Sequence, residues 1–283
     1  MIRPREQSGV VPIFAPAACA GLLPCPDPPI AGKKYAVIDA APQRAERPPS
    51  RAALWGLVLG LGGIAGVLTS GAGYRLGWWQ VATALQIAEW AAYGAGFGLT
   101  LSVVGAVRSR PGTGPHGFLV SVLGLAISVP VVAMAIQWEY AARTYPPIND
   151  ISTDTDDPPF FWDMPNPMDY PGAETAALQR AAYPDLAPLE LAVAPDRAYA
   201  LALAVAHDKG WEIVADEPEE GRIEAVHSSL LYGFRDEIII RVAPANGGTR
   251  VDLRSRSRIG RIDRGVNARR IRAFLAALKE RGR

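Results

Sequence analysis

The sequence predicts an α+β protein in which a three-helix transmembrane region precedes an antiparallel sheet domain carrying two main helices. Three observations lead there. Hydrophobic residues, 49% of a 283-residue chain of formal net charge +1, concentrate between Ala52 and Trp138. Beyond Leu186, short segments of strand character recur between turn signals. Two amphipathic segments with helical spacing interrupt that strand pattern.

Residues 1–51 hold ten prolines within their first 50 positions, and Pro12 and Pro16 interrupt the one apolar stretch resembling a signal sequence. A disordered proline-rich tail is expected there. Both cysteines, Cys19 and Cys25, lie in it, so the later domain must hold together without disulfides. Between Arg51 and Arg75 lie 23 uncharged residues, enough to cross a hydrocarbon core of about 30 Å. Residues 76–107 carry one charge, Glu89, and residues 117–137 carry none. Three spans follow, at about 54–73, 81–104 and 118–138, inside a region bounded by residues 52 and 139. Lys33, Lys34, Arg44, Arg47, Arg51, Arg108 and Arg110 lie on one side, against Arg75 and Arg143 on the other. Basic short loops favour the cytoplasm, which puts the amino terminus inside and the carboxy-terminal domain outside. Tyr74, Trp78, Trp79 and Trp138 fall at the expected interfaces, where amphipathic rings settle.

A charge in a span costs about 2.5–3.5 kcal/mol on insertion scales, so Glu89 needs an explanation. Gln86, Glu89, Tyr93, Gly96 and Thr100 recur at spacings of 3, 4, 3 and 4, a single seam expected to face protein. Intramembrane packing accounts for it; a proton relay would need a second ionisable residue in another span. Gly56, Gly60, Gly62, Gly66, Gly94 and Gly98 would let the helices approach closely.

The extracytoplasmic domain is expected over residues 145–283. It opens with "YPPINDISTDTDDPPFFWDMPNPMDYPG", which has no helical or strand period and reads as an extended wrapping segment. "LAPLELAV" suggests a strand and "PDRAYALALAVAHDKG" a helix closed by Gly210. "WEIVA" and "GRIEAVHSS" suggest strands joined by an acidic turn. "DEIIIRVAP" and "TRVDLRSRS" flank Asn246-Gly247-Gly248, a hairpin signal. "VNARRIRAFLAALKERG" closes the chain as a helix with Val266, Ile271, Phe274, Leu275 and Leu278 on its apolar side.

Those motifs, with "YPDLAPL", "GWEIV", "FRDEIIIRV" and "VDLRSRSRIGRIDRGVNARRIRAF", resemble the bacterial and plastid family catalogued as domain of unknown function fourteen ninety-nine, over about residues 145–278. The resemblance implies the domain boundary and a membrane setting, here a bacterial inner membrane with a periplasmic domain. It implies no activity.

Along the last strand, side chains alternate. Val251, Leu253, Ser255 and Ser257 point one way, and Asp252, Arg254, Arg256 and Arg258 the other, as an arginine comb. Arg241 and Glu224 fall out of step with their apolar neighbours and can join that face. Residues 238–283 carry 13 basic against 3 acidic side chains, whereas the stretch before them is strongly acidic. The acidic segment around Asp150, Asp154, Asp156 and Asp157 is therefore expected to lie over the comb, since a guanidinium fork suits carboxylates.

The alternative leaves Arg241, Arg254, Arg256 and Arg258 free to hold a lipid phosphate or small anion, with Asn267 nearby. An open arginine face would favour that alternative; arginines covered by residues 150–161 would favour an interaction or accessory domain. Expected partners are a membrane or envelope protein, or an anionic lipid or small anion. Nucleic acid is excluded, because no aromatic interleaves Arg254–Arg272 and residues 140–283, with 19 basic and 22 acidic side chains, are net −3. "DISTDTDD" lacks the Gly and closing Glu of a calcium loop and reads as a side-chain-capped turn. His116, His207 and His227 have no metal-ligand spacing, and no nucleophile elbow or phosphate loop occurs. No catalytic residue, metal or cofactor is assigned, and Glu224 with Glu237 reads as salt-bridge partners rather than an acid–base pair.

Overall fold

The computed structural model describes residues 50–110, 116–166 and 169–283. All but the end of the expected proline-rich tail lies outside them. Three long helices come first: α1 (Arg51–Arg75), α2 (Val81–Arg108) and α3 (Phe118–Thr144), each long and apolar enough to cross a membrane. They overrun the uncharged windows because residues such as Arg51, Arg108 and Arg143 end an apolar run without opposing a helix. Ser50 caps α1 by accepting the Ala53 N–H at 3.3 Å.

Small side chains set how these helices pack. A Cβ added at Gly56 or at Gly124 would come within 2.3 Å of Ser102 Oγ, so α1 and α3 both close on the same point of α2. One expectation is corrected here: the polar seam of α2 does not face the other helices. Gln86, Glu89, Tyr93 and Thr100 lie on its outer side, where the Tyr93 hydroxyl donates to Glu89 Oε1 at 2.7 Å. Ala84, Ala95, Gly98, Ser102 and Gly105 take the inner side instead. Backbones this close leave no room for Gln or Tyr between them.

The domain then runs β1 (Asp150–Ser152), α4 (Ala173–Ala182), β2 (Leu189–Leu191), α5 (Pro195–Asp208), β3 (Glu212–Glu217), β4 (Arg222–Ser228), β5 (Arg235–Ala245), β6 (Gly248–Ser257) and α6 (Val266–Arg281). The sheet order is β1-β6-β5-β4-β3, with β2 beside β1 on the same edge of β6, and every pairing is antiparallel. Asn246 and Gly247, the latter at φ +83°, close the β5–β6 hairpin.

Two elements are absent from the sequence reading. β1 is three residues long and α4 buries only Ala176 and Gln179, so neither shows a period. Gln179 nevertheless finishes the sheet edge. Its Oε1 accepts the Ser152 N–H at 2.9 Å and its Nε2 donates to Ser152 O at 2.6 Å, as a neighbouring strand would.

The core lies on one face of the sheet. Ile223, Ala225, Ile238, Ile240, Val251 and Leu253 pack beneath Ala198, Ala202 and Val205 of α5 and Ile271, Phe274 and Leu278 of α6. Trp211 stacks on Phe274, centroids 5.4 Å apart. Val266, expected on that apolar side, is exposed, while the next two residues, Asn267 and Ala268, turn inward and are fully buried.

Two loops fasten the domain to the helix ends. In the β4–β5 loop the Tyr232 hydroxyl meets Ser70 Oγ at 2.8 Å, Leu231 lies against Gly71, and Leu230 O accepts from Arg75 Nη1 at 2.9 Å. In the loop before α6, the Arg264 guanidinium lies 3.7 Å from the centroid of the Trp138 ring.

Candidate functional site

The face of the sheet away from α5 and α6 carries the charged residues. Period-two alternation puts Arg222 and Glu224 of β4, Glu237 and Arg241 of β5, and Asp252, Arg254 and Arg256 of β6 on it together. A strap, residues 153–166 with 169 and 170, lies across them. Phe161 is its wedge: fully buried, it packs with Met164 against Val226 and Ile239, the two apolar residues in the middle of this face.

Arg254 is the largest fully buried side chain among the described residues. Its Nε and Nη2 fork onto Asp150 Oδ1 and Oδ2 at 2.9 and 2.7 Å, while Nη1 and Nη2 also donate to the strap carbonyls of Pro159 and Asp169 at 3.0 Å each. Its guanidinium carbon is 4.9 Å from the Phe161 ring centroid, and that of Arg256 is 4.1 Å from it. Glu237, also fully buried, takes Arg256 Nε at 2.7 Å and Arg258 Nε at 2.8 Å. Arg241 bridges Asp157 and Asp252, at 2.9 and 3.2 Å. The sequence therefore brings Arg241, Arg254, Arg256 and Arg258 to one face, and their partners there are carboxylates of the strap, β1 and the sheet itself. Asn267 is not among them. It is buried on the opposite face, where Ser255 Oγ donates to its Oδ1 at 2.8 Å, because strand parity puts Ser255 on the helix side.

Other participants were not singled out in the sequence. Arg250, one step earlier in the same alternation, pairs with Asp154 at 2.5 Å and Asp252 at 3.0 Å. Arg222 holds Asp163, Glu220 and Glu224, and Glu224 receives the strap amides of Trp162 and Asp163 at 2.7 and 3.1 Å. Period two could have found Arg250; nothing local marks the strap amides.

Asp154 is a turn residue, its Oδ1 accepting the N–H groups of Asp156 and Asp157 at 2.9 Å each. Burial opposes its ionisation, but those amides and Arg250 outweigh burial and hold its carboxyl below the usual range. Asp156 reaches only Arg180, and both are exposed. Asp154→Asn, which keeps the amide acceptor and loses the charge, is expected to cost about 1 kcal/mol of stability. Asp156→Asn is expected to stay within about 0.5 kcal/mol, as denaturant titration of both variants will read.

A second cluster lies beneath the start of α6. Arg270 donates to Asp236 Oδ2 at 2.5 Å, to Ser255 Oγ at 2.9 Å and to His227 Nδ1 at 3.2 Å. With Nδ1 accepting, the ring proton sits on Nε2. Burial first, and then the Arg270 charge, lower the His227 pKa against the opposing pull of Asp236. The unfolded chain thus takes up this proton more readily, so the stability tied to the neutral ring is whole above about 6.5 and lost as pH falls below it. The melting temperature is expected to decline on acidification through that range, and His227→Gln to flatten the decline.

Beside the strap opens a cavity of about 430 Å³ lined by Asp154, Thr155, Gln179, Arg180, Tyr183 and Arg250 among others. Its charged groups are engaged with one another. Among the described residues no group of three or more His, Cys, Asp or Glu side chains could hold a metal. The arrangement is chemically a clamp.

Residues 150–278, from the first residue of β1 to the last core residue of α6, match the family model described as Protein of unknown function (DUF1499). This segment is similar to the DUF1499 family. The three long helices lie outside the match, whereas the strap, the arginine face and both loops at the helix ends lie inside the DUF1499-like domain. The crystal structure of TTHA0849 from Thermus thermophilus is similar over 34% of this chain and 93% of that one, at 19% identity and a TM-score of 0.21. No curated protein sequence matches the chain.

Proposed function

We propose that this chain is a multi-pass protein of a bacterial inner membrane, its amino terminus cytoplasmic and its DUF1499-like domain periplasmic, and that the domain serves as an interaction or accessory module rather than as an enzyme. One observation carries this reading: the strap covers the arginine face, and carboxylates of the strap, β1 and the sheet pair with its arginines, so that charged surface is spent on holding the domain together. The docking of the β4–β5 loop on Ser70, Gly71 and Arg75 supports a domain held against its own membrane helices. Arg51, Arg108 and Arg110 at the far ends of the helices support the orientation.

Reporters fused after Arg283 test the compartment. An exported enzyme that works only outside the cytoplasm is expected to be active, and a fluorescent protein that folds only inside is expected to be dark; the reverse pattern sinks the orientation. Cross-linking of the full chain in native membranes followed by affinity capture is expected to recover a membrane or envelope protein, and the same capture from Phe161→Ala tests whether an intact strap is needed.

A further inference from the structure

Two loops leave the sheet side by side at the end nearest the membrane helices. Ser228 pairs with Arg235 and Asp236 with Ser257, and the Arg258 N–H donates to Arg235 O at 3.0 Å, so loop 229–234 and loop 258–264 are neighbours. Each is anchored on a helix end, the first at Ser70 and Arg75, the second at Trp138. Trp138 lies six residues before the end of α3, about 9 Å along the axis; with α3 spanning a bilayer, its indole ring would fall where such rings settle, between acyl chains and headgroups. Tyr74, in the last turn of α1, and Trp79, in the turn before α2, lie at the same end of the helix bundle.

Between its anchors each loop presents one large apolar side chain outward: Leu230 is 93% exposed and Ile259 is 46% exposed. Basic residues stand beside them. Arg261 is exposed and has no hydrogen bond or ion pair among the described residues. Arg264 has one guanidinium face against Trp138, and its Nε is buried without an acceptor. The carboxylates nearby favour the Arg264 charge from a distance without bonding it: Glu139 pairs with Arg143 at 2.7 Å, and Asp263 accepts the N–H groups of Gly265 and Asn267 at 2.9 and 2.7 Å. Arg269 meets only Tyr145 and the Arg264 carbonyl. The guanidinium forks of Arg261 and Arg264, without acceptors among the described residues, and the apolar tips beside them are the two halves of an interfacial contact. The acceptor found in quantity at that depth is phosphate, which guanidinium binds with paired hydrogen bonds.

We infer that loops 229–234 and 258–264 form a docking surface for anionic phospholipid, with headgroup phosphate taken by Arg261 and Arg264 and with Leu230 and Ile259 entering the acyl boundary. This rests on the reading that α1–α3 span a bilayer. Unlike the comb, these arginines lie at the domain's membrane end and outside the strap.

The test uses the full chain in detergent, titrated with phosphatidylglycerol or phosphatidylcholine and read by native mass spectrometry. Phosphatidylglycerol is expected to bind more tightly. Arg261→Ala and Arg264→Gly are each expected to weaken it about fivefold, with phosphatidylcholine unaffected. Arg264 has φ +53°, a conformation glycine adopts freely, so Arg264→Gly removes the guanidinium and its Trp138 contact without straining the backbone, and Arg261→Ala, which has no such contact, separates headgroup binding from loop anchoring. Arg180→Ala, on α4 beside the strap, is expected to change nothing. Equal binding of the two lipids, unaltered affinity in both loop variants, or displacement of phosphatidylglycerol by an equal concentration of inorganic phosphate overturns the inference. Alkaline carbonate extraction of native membranes separates the two readings. Release of the chain defeats the spanning helices, whereas retention without a lipid preference defeats only the docking surface.

Discussion

Asp150→Asn is expected to destabilise the DUF1499-like domain by about 3–5 kcal/mol, the loss typical when one partner of a buried ion pair is removed. Arg254 is 0% exposed, and its guanidinium would keep its charge with the carbonyls of Pro159 and Asp169 and the rings of Phe161 and Tyr170 around it. The cost is mainly that of a stranded charge rather than of a lost attraction. Replacing both partners with apolar residues, Asp150→Leu with Arg254→Met, is therefore expected to recover roughly half of the loss or more. Recovery stays incomplete because Arg254 also ties down the strap. Chemical denaturation of the full chain in detergent, followed by near-ultraviolet circular dichroism, measures both variants; a double variant no better than Asp150→Asn would show that the carbonyl contacts dominate.

Phe161→Ala is expected to cost about 3–5 kcal/mol, as large aromatic truncations in cores do. Its ring fills the space between Val226 and Ile239 while lying against both Arg254 and Arg256. Once the wedge is gone, the strap retains its ion pairs but loses the ring that seats it on the sheet, so it should open locally before the sheet unfolds. Limited proteolysis within residues 153–166 is expected to accelerate in Phe161→Ala and not in Phe160→Ala, whose ring is partly exposed. If both variants are cut at the same rate as the unaltered chain, the wedge role is wrong.

How much of this was visible in the sequence depends on whether the signal was local. The arginine comb follows from alternation along "VDLRSRS", and the same alternation separates Ser255, and with it Asn267, from Arg254. Strands with a strong period, β4 to β6, and the turn at Asn246-Gly247 are legible for the same reason. α4 and β1 are not, because Gln179 and Ser152 recognise each other across 27 positions and neither segment has an apolar stripe. Which carboxylate meets which arginine is also a question of register. Asp150 reaches Arg254 although its backbone neighbour in the pairing is Arg256. Composition fixes the three long helices, yet the contest between the polar seam and the small-residue stripe of α2 is decided by packing space. The outward Glu89 and Tyr93 show that spacing alone identifies a face without saying what it meets.

The eight arginines between Arg254 and Arg272 run from buried, at Arg254 and Arg256, to exposed, at Arg261 and Arg269, and the role assigned to the domain depends on that difference. Arginine-selective labelling of the folded full chain with phenylglyoxal, mapped by peptide mass spectrometry, tests it directly. Arg261 is expected to be modified rapidly, with Arg254 and Arg256 protected until the domain unfolds. Modification of Arg254 and Arg256 at the rate of Arg261 in the folded chain would contradict the account.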